Sequence, residues 1–176
     1  MKKIQIKDGL ILINSVEAKW PWLTKKHPRY KKYTMAIDLE ADAADILRGQ
    51  MQLVYSGYLD KNPESVDLPL APFCVELDDG RVKFELQNRQ KPELLNPDGT
   101  AFEGKIGQGS IVRLVVQTVP FSNARCGVSL RVRGVEVTRL VRETSIVREL
   151  FGHQTPEDLA DEPADSADEW EFVEIV

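Results

Sequence analysis

The sequence predicts an all-β fold, β-rich with one or two helices. Three observations lead there: short apolar runs of period two recur as far as Leu140, turn signals rich in Gly, Asp and Asn separate them, and only one long stretch carries helical spacing. At 176 residues the chain has room for one domain with appendages and a sizeable core.

The elements follow in order. Ile4 and Ile6 alternate with polar neighbours, Asp8-Gly9 interrupts, and Leu10-Ile11-Leu12-Ile13 resumes, which reads as a hairpin opening the fold. Tyr33, Met35, Ile37 and Leu39 alternate with Lys32, Thr34, Ala36 and Asp38, a strand with one buried face. From Asp42 to Tyr58 the spacing changes: Ile46, Leu47, Met51, Val54, Tyr55 and Tyr58 recur every three or four residues, and Asp42 is the candidate N-cap of a helix. Phe73, Val75 and Leu77 lie before Asp78-Asp79-Gly80, and Val82, Phe84 and Leu86 after it, so the two apolar sets are expected to pair across a hairpin with Lys83, Glu85 and Gln87 on the other face. Residues 90–109 read as a long loop with a turn at Asn96-Pro97-Asp98-Gly99. The segments 110–119 and 127–140 are the longest β-rich runs. In the second the apolar phase slips at Gly134, which predicts a β-bulge of the kind that bends strands in small barrels. Ile146, Val147, Leu150 and Phe151 predict a short helix within 143–154 that packs on the barrel or on a second copy of the chain, and 155–176 has the composition of a disordered tail.

Charge divides the chain in two. Nine of its 28 acidic residues lie in 155–176, which contains no Lys or Arg, so the remainder holds 19 acidic against 23 basic residues. The net charge of −5 therefore conceals a basic body and an acidic tail, a division compatible with nucleic acid as a partner. No run has the length and apolarity of a membrane span, and Lys2-Lys3 leads into a charged, alternating segment, so a cytoplasmic location is expected. Cys74 and Cys126 lack metal-site spacing and are expected to be free thiols. His27 and His153 are isolated from each other, and neither reads as a site; no cofactor or metal is expected.

The segment 19–33 interleaves Lys19, Lys25, Lys26, Arg29, Lys31 and Lys32 with Trp20, Trp22, Tyr30 and Tyr33. Cations meet phosphates and rings stack on bases, so this mixture suits sequence-tolerant binding of a single strand; a solvated loop whose tryptophans cap the core has the same composition. Arg81, Lys83, Arg113, Arg125, Arg131 and Arg133 form a second basic set on strands or their turns, able to floor a groove or simply to guard strand edges. In the tail, Asp168, Glu169, Trp170, Glu171 and Phe172 form an acidic-aromatic motif suited to docking on a partner, where a purely solvating tail would have no use for the rings.

Ile106-Gly107-Gln108-Gly109-Ser110 leading into a hydrophobic strand, then 127–137 (GVSLRVRGVEV), resembles the C-terminal barrel half of bacteriophage single-stranded DNA-binding proteins related to those of T7-like phages; the acidic aromatic tail fits the same family. The resemblance implies an OB-fold over 1–142, a five-stranded Greek-key barrel with added hairpins and an inserted helix. It also implies sequence-independent single-stranded DNA binding in replication, recombination and repair without catalysis. The tail would contact replication proteins (polymerase, helicase or primase) and compete with DNA, and a homodimer is common in the family. Two rival readings stand beside it: a protein-binding adaptor that uses the tail alone, and a metal-dependent nuclease built on Glu76, Asp78, Asp79 and Glu85, against which the placement of both aspartates in a turn argues.

Overall fold

Asp8 and Gly9 both take positive φ, 52° and 76°, which is what a two-residue hairpin turn demands. They join β1 (Ile4–Lys7) to β2 (Leu10–Glu17), paired from Ile4 opposite Ile13 to Lys7 opposite Leu10. The computed structural model describes residues 3–141; the helix expected at 143–154 and the acidic tail at 155–176 lie outside them. Beyond β2 come β3 (Lys19–Trp22), β4 (Tyr33–Leu39), α1 (Ala41–Lys61), a 3₁₀ turn (Pro63–Asp67), β5 (Val75–Glu76), β6 (Val82–Asn88), β7 (Glu93–Leu95), β8 (Ile111–Ser122) and β9 (Cys126–Arg139).

Hydrogen-bonded neighbours run β1-β2-β8-β9-β6-β4-β3, with β6 and β9 parallel and the other steps antiparallel. Because β2 and β3 are consecutive halves of one bent run, joined through the buried Ala18, the path from β2 round to β3 closes on itself. The result is a five-stranded barrel of the bent strand, β4, β6, β8 and β9, the strand order of an OB-fold. Two devices bend that first strand. A register shift between Ile13 and Val16 accommodates Ser15 at φ 53°, and a second between Lys19 and Trp22 accommodates Trp20 at φ 44°. The glycines of 106–110 hold the bend: Gly109, at φ 85°, donates its N–H to the Ala18 carbonyl at 3.0 Å, and the Ala18 N–H donates to the Ser110 carbonyl at 2.8 Å. The motif at 106–110 thus stitches the seam of the barrel.

Period-two alternation sends Ile11, Ile13, Met35, Ile37, Leu39, Val82, Phe84, Leu86, Val112, Leu114, Val116, Leu130 and Val132 into one core. Helix α1 covers part of it with Ala43, Ala44, Leu47 and Met51. The helix starts at Ala41 behind Glu40, whose side chain makes no capping bond, so Asp42 lies inside the first turn and is not the N-cap. Ile46 also departs from the expected apolar face. The two small alanines let the helix settle with 43, 44, 47 and 51 inward, which leaves Ile46 and Leu53 exposed.

The hairpin after Leu77 differs from the expected pairing by one residue. Its loop is set by the Leu77 N–H donating to the Arg81 carbonyl and by the Asp79 carboxylate accepting from the Arg81 backbone and Nε. Val75 consequently lies opposite Lys83 and shares its outward face, and Phe73 packs edge-on against Tyr55 at 5.9 Å. A one-residue slip exchanges the two faces of a strand, so the apolar sets do not pair as the sequence suggests. Within 90–109, β7 adds a short parallel strand to β9, with Leu94 buried, and the Asn96–Thr100 turn closes behind it through Gly99 at φ 83°. Near Gly134 the register passes from Val115 opposite Gly134 to Val116 opposite Val132, which makes Arg133 the extra residue of the bulge.

Candidate nucleic-acid interface

With Met35, Ile37 and Leu39 turned inward on β4 and Val82, Phe84 and Leu86 on β6, the outer face of this pair is set by register: Thr34 opposite Gln87, Ala36 opposite Glu85, Asp38 opposite Lys83. On one side β3 adds Trp22 opposite Thr34 and Lys19 opposite Ala36. On the other, Leu86 lies beside Leu130 in the parallel β9, so Arg131 follows next to Gln87, and Arg131 is in turn opposite Gln117 of β8. One transverse row results, running Trp22, Thr34, Gln87, Arg131, Gln117 across the outside of the barrel.

The connection from Leu23 to Lys32 rises at the end of that row. Leu23 is buried and anchors it, and Lys25, Lys26, Arg29, Tyr30 and Lys31 are exposed. Its tip is a closed turn: the His27 N–H donates to the Lys32 carbonyl at 2.7 Å and the Lys31 N–H to the His27 carbonyl at 2.8 Å, with Lys31 at φ 54°. Three rings face a cation. Lys25 Nζ lies 5.8 Å from the Trp22 ring centre, Lys26 Nζ 6.0 Å from Tyr33, and the Arg29 guanidinium 5.7 Å from Tyr30. Contact with a ring leaves a cation's charge intact, so these groups remain able to meet phosphate. Lys32 Nζ donates to Gln87 Oε1 at 2.9 Å and ties the loop to the row. Trp20, the extra residue of the β3 bulge, is 56% exposed; a positive φ costs a non-glycine residue about 1–2 kcal/mol, so the fold holds this large ring outward against its local preference.

At the far side of the row, Asn88, Arg89, Gln90, Arg131 and Arg133 line a shallow cleft of about 200 Å³. Arg133 Nε donates to Gln117 Oε1 at 2.9 Å. The loop cations and these arginines therefore occupy one end of the outer surface, where Tyr33 faces Asn88.

The remaining sequence-predicted cations lie elsewhere or are engaged. Lys19 is ion-paired with Asp38, whose side chain is 2% exposed. Arg81 lies 2.6 Å from Asp79 and 3.7 Å from Asp38, and its guanidinium holds the Asp79 carboxyl below the usual carboxylate range. Lys83 lies 3.7 Å from Glu85. Arg113 pairs with Glu136 at 2.9 Å and donates to Asn14 Oδ1 at 3.1 Å, on the side of the barrel made by β2, β8 and β9. Arg125 is exposed in the β8–β9 turn, beside Cys126 at the end of β9 opposite to the basic loop. Three of the four carboxylates considered for a metal are likewise engaged, Glu76 with Arg48 at 3.1 Å, Asp79 with Arg81 and Glu85 with Lys83, and Asp78 sits in the hairpin turn. Among the described residues no group of three or more His, Cys, Asp or Glu is placed to hold a metal ion, and no helix is long and apolar enough to cross a membrane.

Sequence reasoning passed over Arg89 and Gln87. Arg89 had one available signal, a basic residue immediately past the end of a strand. Gln87 was placed on the outer face without a role, and its position in the row depends on the parallel β6–β9 pairing, which no local pattern encodes.

The structure is thus a closed OB barrel with a basic, ring-bearing loop over one end of its outer sheet. No protein-family model and no curated protein matches the chain. Solved structures do match: the single-stranded DNA-binding protein from bacteriophage Enc34 in complex with ssDNA, at TM-score 0.66 and 18% identity over 82% of this chain and 95% of that one, and gp2.5, a single-stranded DNA-binding protein encoded by bacteriophage T7, at TM-score 0.60 and 13% identity over 78% and 96%. A further structure of the Enc34 single-stranded DNA-binding protein matches at TM-score 0.65 and 19% identity over 85% and 93%. The chain has the OB-fold of phage single-stranded DNA-binding proteins.

Proposed function

We propose that this chain is a sequence-independent single-stranded DNA-binding protein that acts without catalysis in phage DNA replication, recombination and repair. The observation that carries the reading is the juxtaposition of the loop 23–32 with Arg89, Arg131 and Arg133 across one row of outward side chains. A strand laid along that row meets cations at both ends and rings at the loop, with Thr34, Gln87 and Gln117 between them. Trp22, Tyr30 and Trp20 stack on bases, which depends little on base identity, and Lys25, Lys26, Arg29, Lys31, Lys32, Arg89, Arg131 and Arg133 neutralise phosphates. The likeness in fold to two phage proteins that bind single-stranded DNA supports the same reading. Lys19, Arg81, Lys83, Arg113 and Arg125 are given no more than a peripheral part, because the first four are ion-paired and the last is remote. The acidic tail, with Asp168, Glu169, Trp170, Glu171 and Phe172, contacts replication proteins and competes with DNA for the basic surface; its charge supports this part of the reading.

The test is a titration with a single-stranded oligonucleotide followed by tryptophan fluorescence at low and moderate salt, with the matched duplex as control. Quenching by the single strand is expected, far weaker with duplex, with a log–log salt slope of about −0.7 per phosphate neutralised. Absence of binding, even after removal of 155–176, would leave the protein-binding adaptor as the better description.

A further inference from the structure

His27 is half-buried at the centre of the basic loop, and its surroundings are unusually specific for a residue in an exposed turn. Its Nδ1 accepts the backbone N–H of Arg29 at 3.2 Å and that of Tyr30 at 3.4 Å. Its ring meets Trp22 edge-on with centroids 5.0 Å apart and lies 4.5 Å from Tyr30 at an interplanar angle of 31°. Its own backbone closes the turn at both groups, N–H to Lys32 and carbonyl from Lys31. Pro28 follows, presetting φ at the second position of the turn and removing one donor.

This is the arrangement in which an Asn or Asp side chain before Pro accepts the amides two and three residues on, with the imidazole Nδ1 standing where the amide oxygen would be. The ring adds what a short side chain does not have, a flat surface between Trp22 and Tyr30. Accepting two N–H groups at Nδ1 places the ring proton on Nε2. The charged groups around the rings, Lys25 over Trp22, Lys26 over Tyr33 and Arg29 over Tyr30, are all cations and repel one another, so the loop needs an internal tie to hold them together.

We propose that His27 is the positioning residue of the interface: through Nδ1 it folds the segment 27–32 into a turn that presents Tyr30, Arg29 and Trp22 as a preformed platform, without itself contacting DNA. The inference rests on the single-strand-binding reading above and names the residue that organises it. Pre-organisation acts on affinity by removing the cost of ordering the loop on binding.

Three substitutions separate the parts. His27→Ala removes acceptor and ring, His27→Phe keeps a ring without the acceptor, and His27→Asn keeps an acceptor at the equivalent place without the ring. Oligonucleotide affinity, its salt slope and amide hydrogen exchange at Arg29 and Tyr30 are measured for each, with a thermal melt as the check on the barrel. The alanine and phenylalanine variants are expected to bind about tenfold more weakly with an unchanged salt slope and with both amides exchanging faster, while the asparagine variant recovers most of the affinity and the protection. Wild-type affinity in the alanine variant would overturn the proposal. So would a flattened salt slope, which would make His27 a phosphate ligand, or recovery by phenylalanine and not by asparagine, which would make the ring alone the operative feature. If the unaltered chain fails to bind any single strand, the proposed function falls and the binding role of His27 with it. That result is distinct from failure of this inference alone, in which the unaltered chain and the alanine variant bind equally.

Discussion

Lys19 and Lys25 are both basic residues of one segment, yet the structure gives them opposite situations. Lys19 is ion-paired with the buried Asp38, and Lys25 stands exposed over Trp22. Different outcomes are expected from the same substitution. Lys19→Ala strips the nearest partner from a buried carboxylate, with Arg81 3.7 Å away as the remaining cation, and is expected to lower stability in a denaturant melt by about 2 kcal/mol while leaving the salt dependence of DNA binding nearly unchanged. Lys25→Ala with Lys26→Ala is expected to leave the melt alone and to flatten the salt slope by about 0.7 for each phosphate no longer neutralised. Trp22→Ala removes a stacking surface but no charge, and an affinity loss of about 1–3 kcal/mol at constant slope is expected in the fluorescence-independent assay of a gel shift. Composition identified the segment as cationic and aromatic. It could not distinguish Lys19 from its neighbours, because the partner, Asp38, is 19 residues away and on the adjacent strand.

At the scale of elements, period-two patterning placed β2, β4 and β6 where they are found, since one face of each is buried and burial enforces alternation, while in β1 only Ile4 is buried and Ile6 is exposed. It failed at β5, where a hairpin turn held by Asp79 and Arg81 moves the register by one residue, and it missed β7, whose three residues are too few to display a period. Helix α1 was legible in kind but not in its start, because Glu40 ends the extended backbone of β4 and the helix begins directly behind it. The helix also carries two glycines, Gly49 and Gly57, with open space where a Cβ would lie. Nothing in the packing requires them, so Gly49→Ala and Gly57→Ala are each expected to raise stability by about 0.5–1 kcal/mol, seen as an increased Tm without effect on DNA affinity.

For the whole molecule the governing quantity is the separation of charge. A body with an excess of basic residues is joined to a segment, 155–176, with nine acidic residues and none basic. If the segment competes with DNA for the basic surface, its removal is expected to strengthen single-strand binding most at low salt, with the advantage shrinking as salt screens both interactions. An equal gain at all salt concentrations would point to steric rather than electrostatic competition. The same truncation should abolish capture of a replication protein if the acidic-aromatic motif is what docks on it, and a full-length variant carrying Trp170→Ala and Phe172→Ala should lose that capture while keeping the charge.

The sequence by itself determined the strands with a buried face, the existence of the helix, the basic and aromatic character of 19–33 and the electrostatic division of the chain. Each of these is local, because alternation, helical spacing and composition are written in neighbouring residues. The tertiary structure alone decided which cations lie together on the outer surface and which are held in ion pairs. Closure of the barrel through the bend at Ala18 and the parallel pairing of β6 with β9 bring Arg89, Arg131 and Arg133 to the loop's end of the surface; Arg113 lines a cavity with Arg133 but is held by Glu136, and Arg125 lies at the opposite end of β9. Those juxtapositions join residues as far apart in sequence as Trp22 and Arg131, and they arise from strand order and register, which only the closed sheet fixes.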